Sequence, residues 1–592
     1  MRRSIFTNIL VFSQSILLSQ FSFNGDSQLR YGESENGYIY SESLINTNLR
    51  FGNFTTWIQF EFSDPPELGR SFSGLRKIRL EYQRGPIELI LGDIYNIWGR
   101  GLLLNQFDNQ GIDIDNGLTG LNLQFSNDRY NLNLLSGKAD IWKLDTGEDR
   151  IPSYESNHNV LASELELFVK NFTIGTSFLH SEELHPIKYY NESFILTGDT
   201  LKLIHKLKKF RVEYPGDWFD IYGEYVDKKV SHDYDGVDSL ANSGYGFFGN
   251  VNLYFEDWSF SFDYKRYNFL QLSPNPSGDL GVFSINYGGV IDFQVPPISM
   301  REHSSTLLGR ITHQVDFNDE LGYQVEGIGP IKDWFTLLLN YSQSSRNYLW
   351  NGYRNHWSTK AKASLFPFTD PSANTFQEVY SEIEGYGFDG NLHYQVGAGF
   401  TKDIPNLAIN NQTDSTYRLE YELIKGITFP INFDLVLSDG WSIEIKLEYQ
   451  QLTKGKWVYF EQNGYVEADS LLPNAFQDSK EKQFNSFINI GIGKSPKWSL
   501  SLIIDAASVE EVGIETGSIE ENMINPLEEL MSHIMEIDKK WLSLELAYNI
   551  TPTHRLSLMY GSQRGGLVCS NGICRIISPF NDGFRINLTS IF

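Results

Sequence analysis

The 592-residue sequence holds two cysteines, Cys569 and Cys574, on either side of Ser570-Asn571-Gly572-Ile573. Asn-Gly is a strong tight-turn signal, so the two thiols are expected to face each other across a hairpin tip. In an oxidising compartment such a pair gives a loop disulfide. Metal binding is a weaker alternative, because no histidine lies nearby and two thiolates leave half of a zinc shell empty. A redox-active pair is the third. A second group is charged: Asp93, Arg100, Asp108, Asp113 and Asp115 lie in or just before the long polar segment 96–117. If that segment folded into a channel it would constrict the lumen, and its opposed charges would set the local field. The alternative is an outer loop whose charges pair with one another or face water.

Other candidates fall short. His180-Ser181-Glu182-Glu183-Leu184-His185 lacks the spacing of a helical zinc motif. The run from His232 to Asp238 sets three aspartates around Gly236 without the closing glutamate of a calcium loop. Both fall where outer loops are expected, at 180–200 and 229–243, and acidic clusters there are ordinarily solvated. No metal site is expected. There is no G-x-S-x-G and no glycine-rich phosphate loop between a strand and a helix, so neither an enzyme nor a cofactor is expected.

The elements that must carry these residues are strands. In the run from Trp541 to Tyr548, Leu542, Leu544, Leu546 and Tyr548 alternate with Ser543 and Glu545. The same period of two recurs in Trp258, Phe260, Phe262 and Tyr264 against Ser259, Ser261, Asp263 and Lys265. It recurs again in Ile443, Ile445, Leu447 and Tyr449 against Glu444, Lys446, Glu448 and Gln450. One apolar and one polar face is the mark of a strand between two environments. Short turns such as Gly52-Asn53, Lys170-Asn171 and Glu256-Asp257 alternate with long polar segments, the arrangement of outer-membrane barrels with long loops outside the cell. Aromatics make up 14% of residues, with 32 Tyr and 41 Phe, yet mean hydropathy is −0.31. A barrel reconciles the two, since only one face of each strand meets lipid.

The expected fold is therefore all-β: one large single-chain antiparallel transmembrane β-barrel of about 26–28 strands, within the range such barrels span. Short turns would be periplasmic and long loops extracellular, in the cell outer membrane. Trp357–Leu365, Thr416–Ile424 and Phe429–Leu437 each read as a strand, and residues 282–317 should hold two more. Met1-Arg2-Arg3 and the apolar stretch 5–18 read as a secretory signal peptide over 1–19, leaving 20–592 as the barrel. The segment 505–540 is a long acidic insert, with Leu527, Leu530, Met531, Ile534 and Met535 at helical spacing. Phe584, Ile586, Leu588 and Phe592 form an apolar face ending on the last residue, as in a C-terminal signal for the barrel assembly machinery; Ser590 departs from it.

The run Gly92-Asp93-Ile94-Tyr95-Asn96-Ile97-Trp98-Gly99-Arg100-Gly101-Leu102, the run from Ile114 to Gly120, and Gly565-Gly566-Leu567-Val568-Cys569 with Cys574-Arg575 together resemble an uncharacterised family of Bacteroidota outer-membrane barrel proteins, a domain of unknown function. The resemblance implies location and fold and carries no substrate or catalytic residue.

A net charge of −26 argues against nucleic acid as a partner. The expected partners are outer-membrane lipid, the assembly machinery, and a protein or glycan at the extracellular loops. The expected function is a porin-like channel for small solutes with mild cation preference. The alternative is a surface or assembly component whose loops bind a partner and whose lumen is blocked.

Overall fold

The computed structural model describes residues 21–592 except 36, 144–149, 153, 191–195, 235–236, 272, 276–288, 333, 354–355, 414–415, 462–469, 472–481 and 509–538. The signal segment and the helical spacing expected within 505–540 lie outside the described residues. Among the described residues, an antiparallel sheet closes on itself after 24 strands. The first strand, Phe21–Ser34, pairs with Ile39–Phe51 on one side and with the last, Phe580–Ile591, on the other. Closure pairs the backbone of every strand with two neighbours, so no strand edge is left to lipid.

The faces follow the alternation. Leu447 and Tyr449 of Trp441–Glu461 point outward and are exposed, while Glu448 and Gln450 point inward and are buried. Phe260 and Phe262, and Phe584 and Ile586 of the last strand, belong to the same outward apolar belt. Short turns share the rim where Phe592 bonds back to Gly25; the long connections share the other rim.

Four expectations need correction. Read one by one, the sequence segments give two strands too many. Trp357–Leu365 does not join the ring: His356–Lys362 pairs with Tyr348–Tyr353 as a separate hairpin. Thr416–Ile424 and Phe429–Leu437 are two halves of one strand, Thr416–Val436, because Lys425-Gly426 stays extended rather than turning. The outer loops at 180–200 and 229–243 are mostly strand, since Phe172–Tyr190, Leu196–Pro215, Phe219–Tyr234 and Val237–Phe255 run on beyond the expected rim. The described part of 282–317 holds no barrel strand; it carries a four-residue helix, Thr306–Gly309, and lies inside the barrel. The lipid-facing register also ends earlier than the pattern suggests. Leu419, Tyr421 and Leu423 alternate like belt residues but are buried, the last two against Trp350, Ile404 and Leu407.

The belt makes a specific prediction. Leu447→Arg should cost about 2–4 kcal/mol of barrel stability if the residue sits near the membrane midplane, read as loss of the heat-modifiable folded band on a detergent gel. A folded fraction equal to wild type would mean that this face does not meet lipid.

Candidate functional site: three segments inside the barrel

The long connections 95–117, 289–318 and 564–579 fold inward and pack on the inner wall. The first begins where Ile87–Ile94 ends. Its Leu102, Leu103 and Leu104 are fully buried. With Ile94, Trp98, Ile291 and Phe293 they form a core against Leu135, Ala139, Val160, Ala162, Leu179, Leu207 and Val226 of the wall. Each large side chain so buried contributes roughly 1.5–3 kcal/mol. That gain explains why a segment rich in charge leaves solvent.

Two glycines let the segment approach the wall. Gly99 and Gly101 have φ of +65° and +90°. A Cβ on Gly99 would lie 2.6 Å from Glu224 Oε2, and one on Gly101 2.8 Å from the Val295 carbonyl. The Gly-Arg-Gly run is therefore a backbone requirement. The Arg100 amide donates to Glu224 Oε2 at 2.9 Å. Lys209 Nζ donates to the Trp98 carbonyl at 2.7 Å and lies 3.2 Å from Glu164 and 3.6 Å from Glu224. Glu224 stands near the short-turn end of its strand, so the segment reaches deep into the lumen.

The segments hold one another as well as the wall. Asn116 Nδ2 donates to the carbonyls of Asn105 and Asp292, and Asn105 N donates to the Phe293 carbonyl. Arg575 of the third segment donates to the Ile112 and Arg150 carbonyls at 3.0 and 2.8 Å and to Asp113 at 3.1 Å. Cys569 and Cys574 are bonded and sit opposite each other in the hairpin Gly566–Ser570 with Ile573–Ile577, turned at Asn571-Gly572. This hairpin points into the barrel rather than out: a Cβ on Gly572 would lie 2.5 Å from Ile298.

Of the five charged residues expected at a constriction, Asp93, Asp108, Asp113 and Asp115 line one cavity and Arg100 lies apart from it. Asp93 stays on the wall, accepting from the Ile78 amide. Arg100 lies with its guanidinium over the Tyr222 ring. Asp108 and Asp115 both engage Lys77, the second at 3.0 Å, and Asp113 pairs with Arg575. Burial raises the Asp113 carboxyl. Burial also acts on Asp115, but Lys77, Tyr95 and Arg76 outweigh it and hold that carboxyl below its ordinary value.

Sequence reasoning missed the second segment and its anchors. Glu448, one acidic residue among many on the inner face, accepts from Ser305 Oγ at 2.7 Å and from the Thr306 and Leu307 amides at 2.9 and 2.8 Å. It thus satisfies donors at the start of the short helix. Arg310 pairs with Asp505 across the lumen side. His313 is buried with Asp403 at 2.9 Å and Glu320 at 3.5 Å. Burial alone would lower its imidazole; the two carboxylates outweigh burial and raise it to about 9. One signal was available: apolar Leu135, Val160, Leu179 and Val226 stand on the face that should meet water.

Residues 8–386 and 520–592 match DUF6029, a family of unknown function. The chain belongs to this family. All three inner segments lie within the DUF6029 match, as do both motifs noted in the sequence. No curated protein matches the chain. Among solved structures the chain is similar to the copper transporter OprC, at 8% identity over 97% of this chain and 80% of that one, TM-score 0.47. It is similar also to the siderophore receptor PirA from Pseudomonas aeruginosa, at 7% identity over 96% and 80%, TM-score 0.43. The ferric citrate transporter FecA matches at 9% identity over 96% and 79%, TM-score 0.43.

Two predictions follow from the anchors. Glu448→Ala strands three donors, each bonded to a charged acceptor, and should destabilise the second segment by about 2–3 kcal/mol. Glu444→Ala, half exposed beside Lys446, should change it by less than about 0.5 kcal/mol. Limited proteolysis of residues 301–318 in the folded barrel reads the difference, and equal cleavage would remove Glu448 from its capping role. His313 has its folded value raised, so its contribution is complete below pH 6.5 and is lost as pH rises through about 9. That shift corresponds to about 3 kcal/mol. Cleavage of the same region should increase between pH 7 and pH 10, and the step should vanish in His313→Gln; a pH-independent wild type would contradict it.

Proposed function

We propose that the protein is an outer-membrane barrel kept closed by its own loops, which acts from its long-loop face by binding a polar ligand, a glycan or a protein loop. The observation that carries this reading is the packing of two inner segments against separate parts of the wall. Trp98 and Arg100 meet Lys209 and Glu224, while Ser305 to Leu307 meet Glu448. A standing porin channel needs a continuous aqueous path, and buried apolar packing at these places works against one.

The ligand face is a cavity of about 760 Å³ near the long-loop rim. Its lining includes Arg30, Arg70 and Arg76, with Asp93, Asp108, Asp113 and Asp115, and the rings of Tyr95 and Trp142. Dense donors and acceptors beside two aromatic faces suit a polyhydroxylated ligand. The outward Phe584, Ile586 and Phe592 support the reading of the last strand as the signal for the assembly machinery.

The porin-like reading keeps one supporting observation. Seven carboxylates (Glu42, Glu61, Asp93, Asp108, Asp113, Asp115, Asp140) line this cavity with four cations (Arg30, Arg70, Arg76, Lys138). A path opened through it would favour cations mildly, and less so at high salt. Planar-bilayer recording separates the two readings. The closed reading expects wild type to show no steady conductance. Glu448→Ala combined with Asp505→Ala should conduct intermittently, with a reversal potential of cationic sign in a KCl gradient. Steady wild-type conductance would overturn the closed reading.

A further inference from the structure

Three adjacent wall strands bring histidines and a glutamate to one point against the second inner segment. His158 comes from Tyr154–Val169, Glu183 and His185 from Phe172–Tyr190, and His205 from Leu196–Pro215. Period-two alternation puts Ser181, Glu183 and His185 on the inner face and His180 and Glu182 on the other. Asp292 descends onto them from the inner segment. Donor atoms of His158, Glu183 and Asp292 all lie within 4.8 Å of one another. His158 Nε2 is 3.0 Å from Asp292 Oδ2, His205 Nε2 is 2.7 Å from Glu183 Oε2, and His185 Nδ1 is 2.9 Å from Glu183 Oε1. His158, Glu183 and His205 are each at most 5% exposed.

We propose that His158, Glu183 and Asp292, with His205 as fourth donor, form a binding site for a divalent first-row transition-metal ion that ties the inner segment to the wall. Two imidazoles and two carboxylates are a donor set for zinc(II) and its neighbours rather than for calcium or magnesium, which take oxygen ligands alone. In a tetrahedral zinc site, donors about 2.0–2.2 Å from the metal stand roughly 3.4 Å apart, so His158, Glu183 and Asp292, whose donor atoms lie within 4.8 Å of one another, need only side-chain adjustment. Supporting partners are in place. Ser181 Oγ lies 3.4 Å from His158 Nδ1, the ring nitrogen left over when Nε2 binds metal. Ser156 Oγ donates to Asp292 Oδ2 at 2.7 Å, and Lys143 holds Oδ1 at 2.5 Å. Such second contacts fix the tautomer and orientation of ligands.

The metal site depends on where Asp292 sits and not on whether the lumen conducts. Tag-free barrel, stripped with a chelator and shown folded by its heat-modifiable band, is titrated with zinc(II), and cobalt(II) is used as a spectroscopic probe. One saturating zinc equivalent per chain is expected, with visible cobalt d–d bands of tetrahedral intensity. His158→Gln and Asp292→Asn should each weaken binding by about 100-fold, while His393→Gln, far along the chain, should leave it unchanged. Absence of saturable zinc binding to the wild type overturns the proposal, whether or not the variants fold. So does unchanged affinity in either folded site variant.

Discussion

A sheet that closes through 24 strands encloses more space than its own inward side chains can fill. Small eight-stranded barrels fill theirs; wider ones hold either water or additional chain. Lipid fixes the outside, since closure is the only way to satisfy the backbone of strands in hydrocarbon. The inside remains a free choice, and this sequence fills it with its own connections. Leu102, Leu103 and Leu104 are as deeply buried as any core residue of a soluble protein, yet they lie between strands of a membrane barrel.

That choice accounts for features that are otherwise unrelated. The inner wall carries an apolar patch where Leu135, Val160, Leu179 and Val226 meet Trp98 and Phe293. On the inner wall, charges are paired rather than hydrated: Lys209 with Glu164 and Glu224, Lys265 with Glu320, Arg310 with Asp505. Removing one member of such a buried pair leaves an uncompensated charge, which is costly. The inner segments are thus held where strands from different parts of the chain supply complementary groups. The disulfide hairpin and the Gly-Arg-Gly run, the two stretches that stood out in the sequence, both belong to this filling.

The barrel was legible because a strand between lipid and a polar interior has to alternate. Leu447 and Glu448 fall on the faces their order dictates. Strand ends were less legible, because alternation does not stop where lipid does. His180 to His185 read as loop, yet the strand continues through it, and only that continuation turns Glu183 and His185 to the same side. Thr416–Val436 read as two strands because Gly426 mimics a turn. The inner segment 289–318 left no periodic trace, having almost no regular structure of its own; its place is set by Glu448, Asp505 and Asp403, each remote in sequence. The charged loop 96–117 was recognisable as a candidate for folding inward, but its partners Lys77, Arg575 and Glu224 were not.

The filled lumen is the central claim, and density is its most direct test. A cryo-electron microscopy map of the protein in lipid nanodiscs should show continuous density inside the belt, with Trp98 to Leu104 against Lys209 and Glu224 and the helix Thr306–Gly309 beside Glu448. A ring of strands around an empty aqueous channel, with these segments folded above the outer rim, would contradict the account.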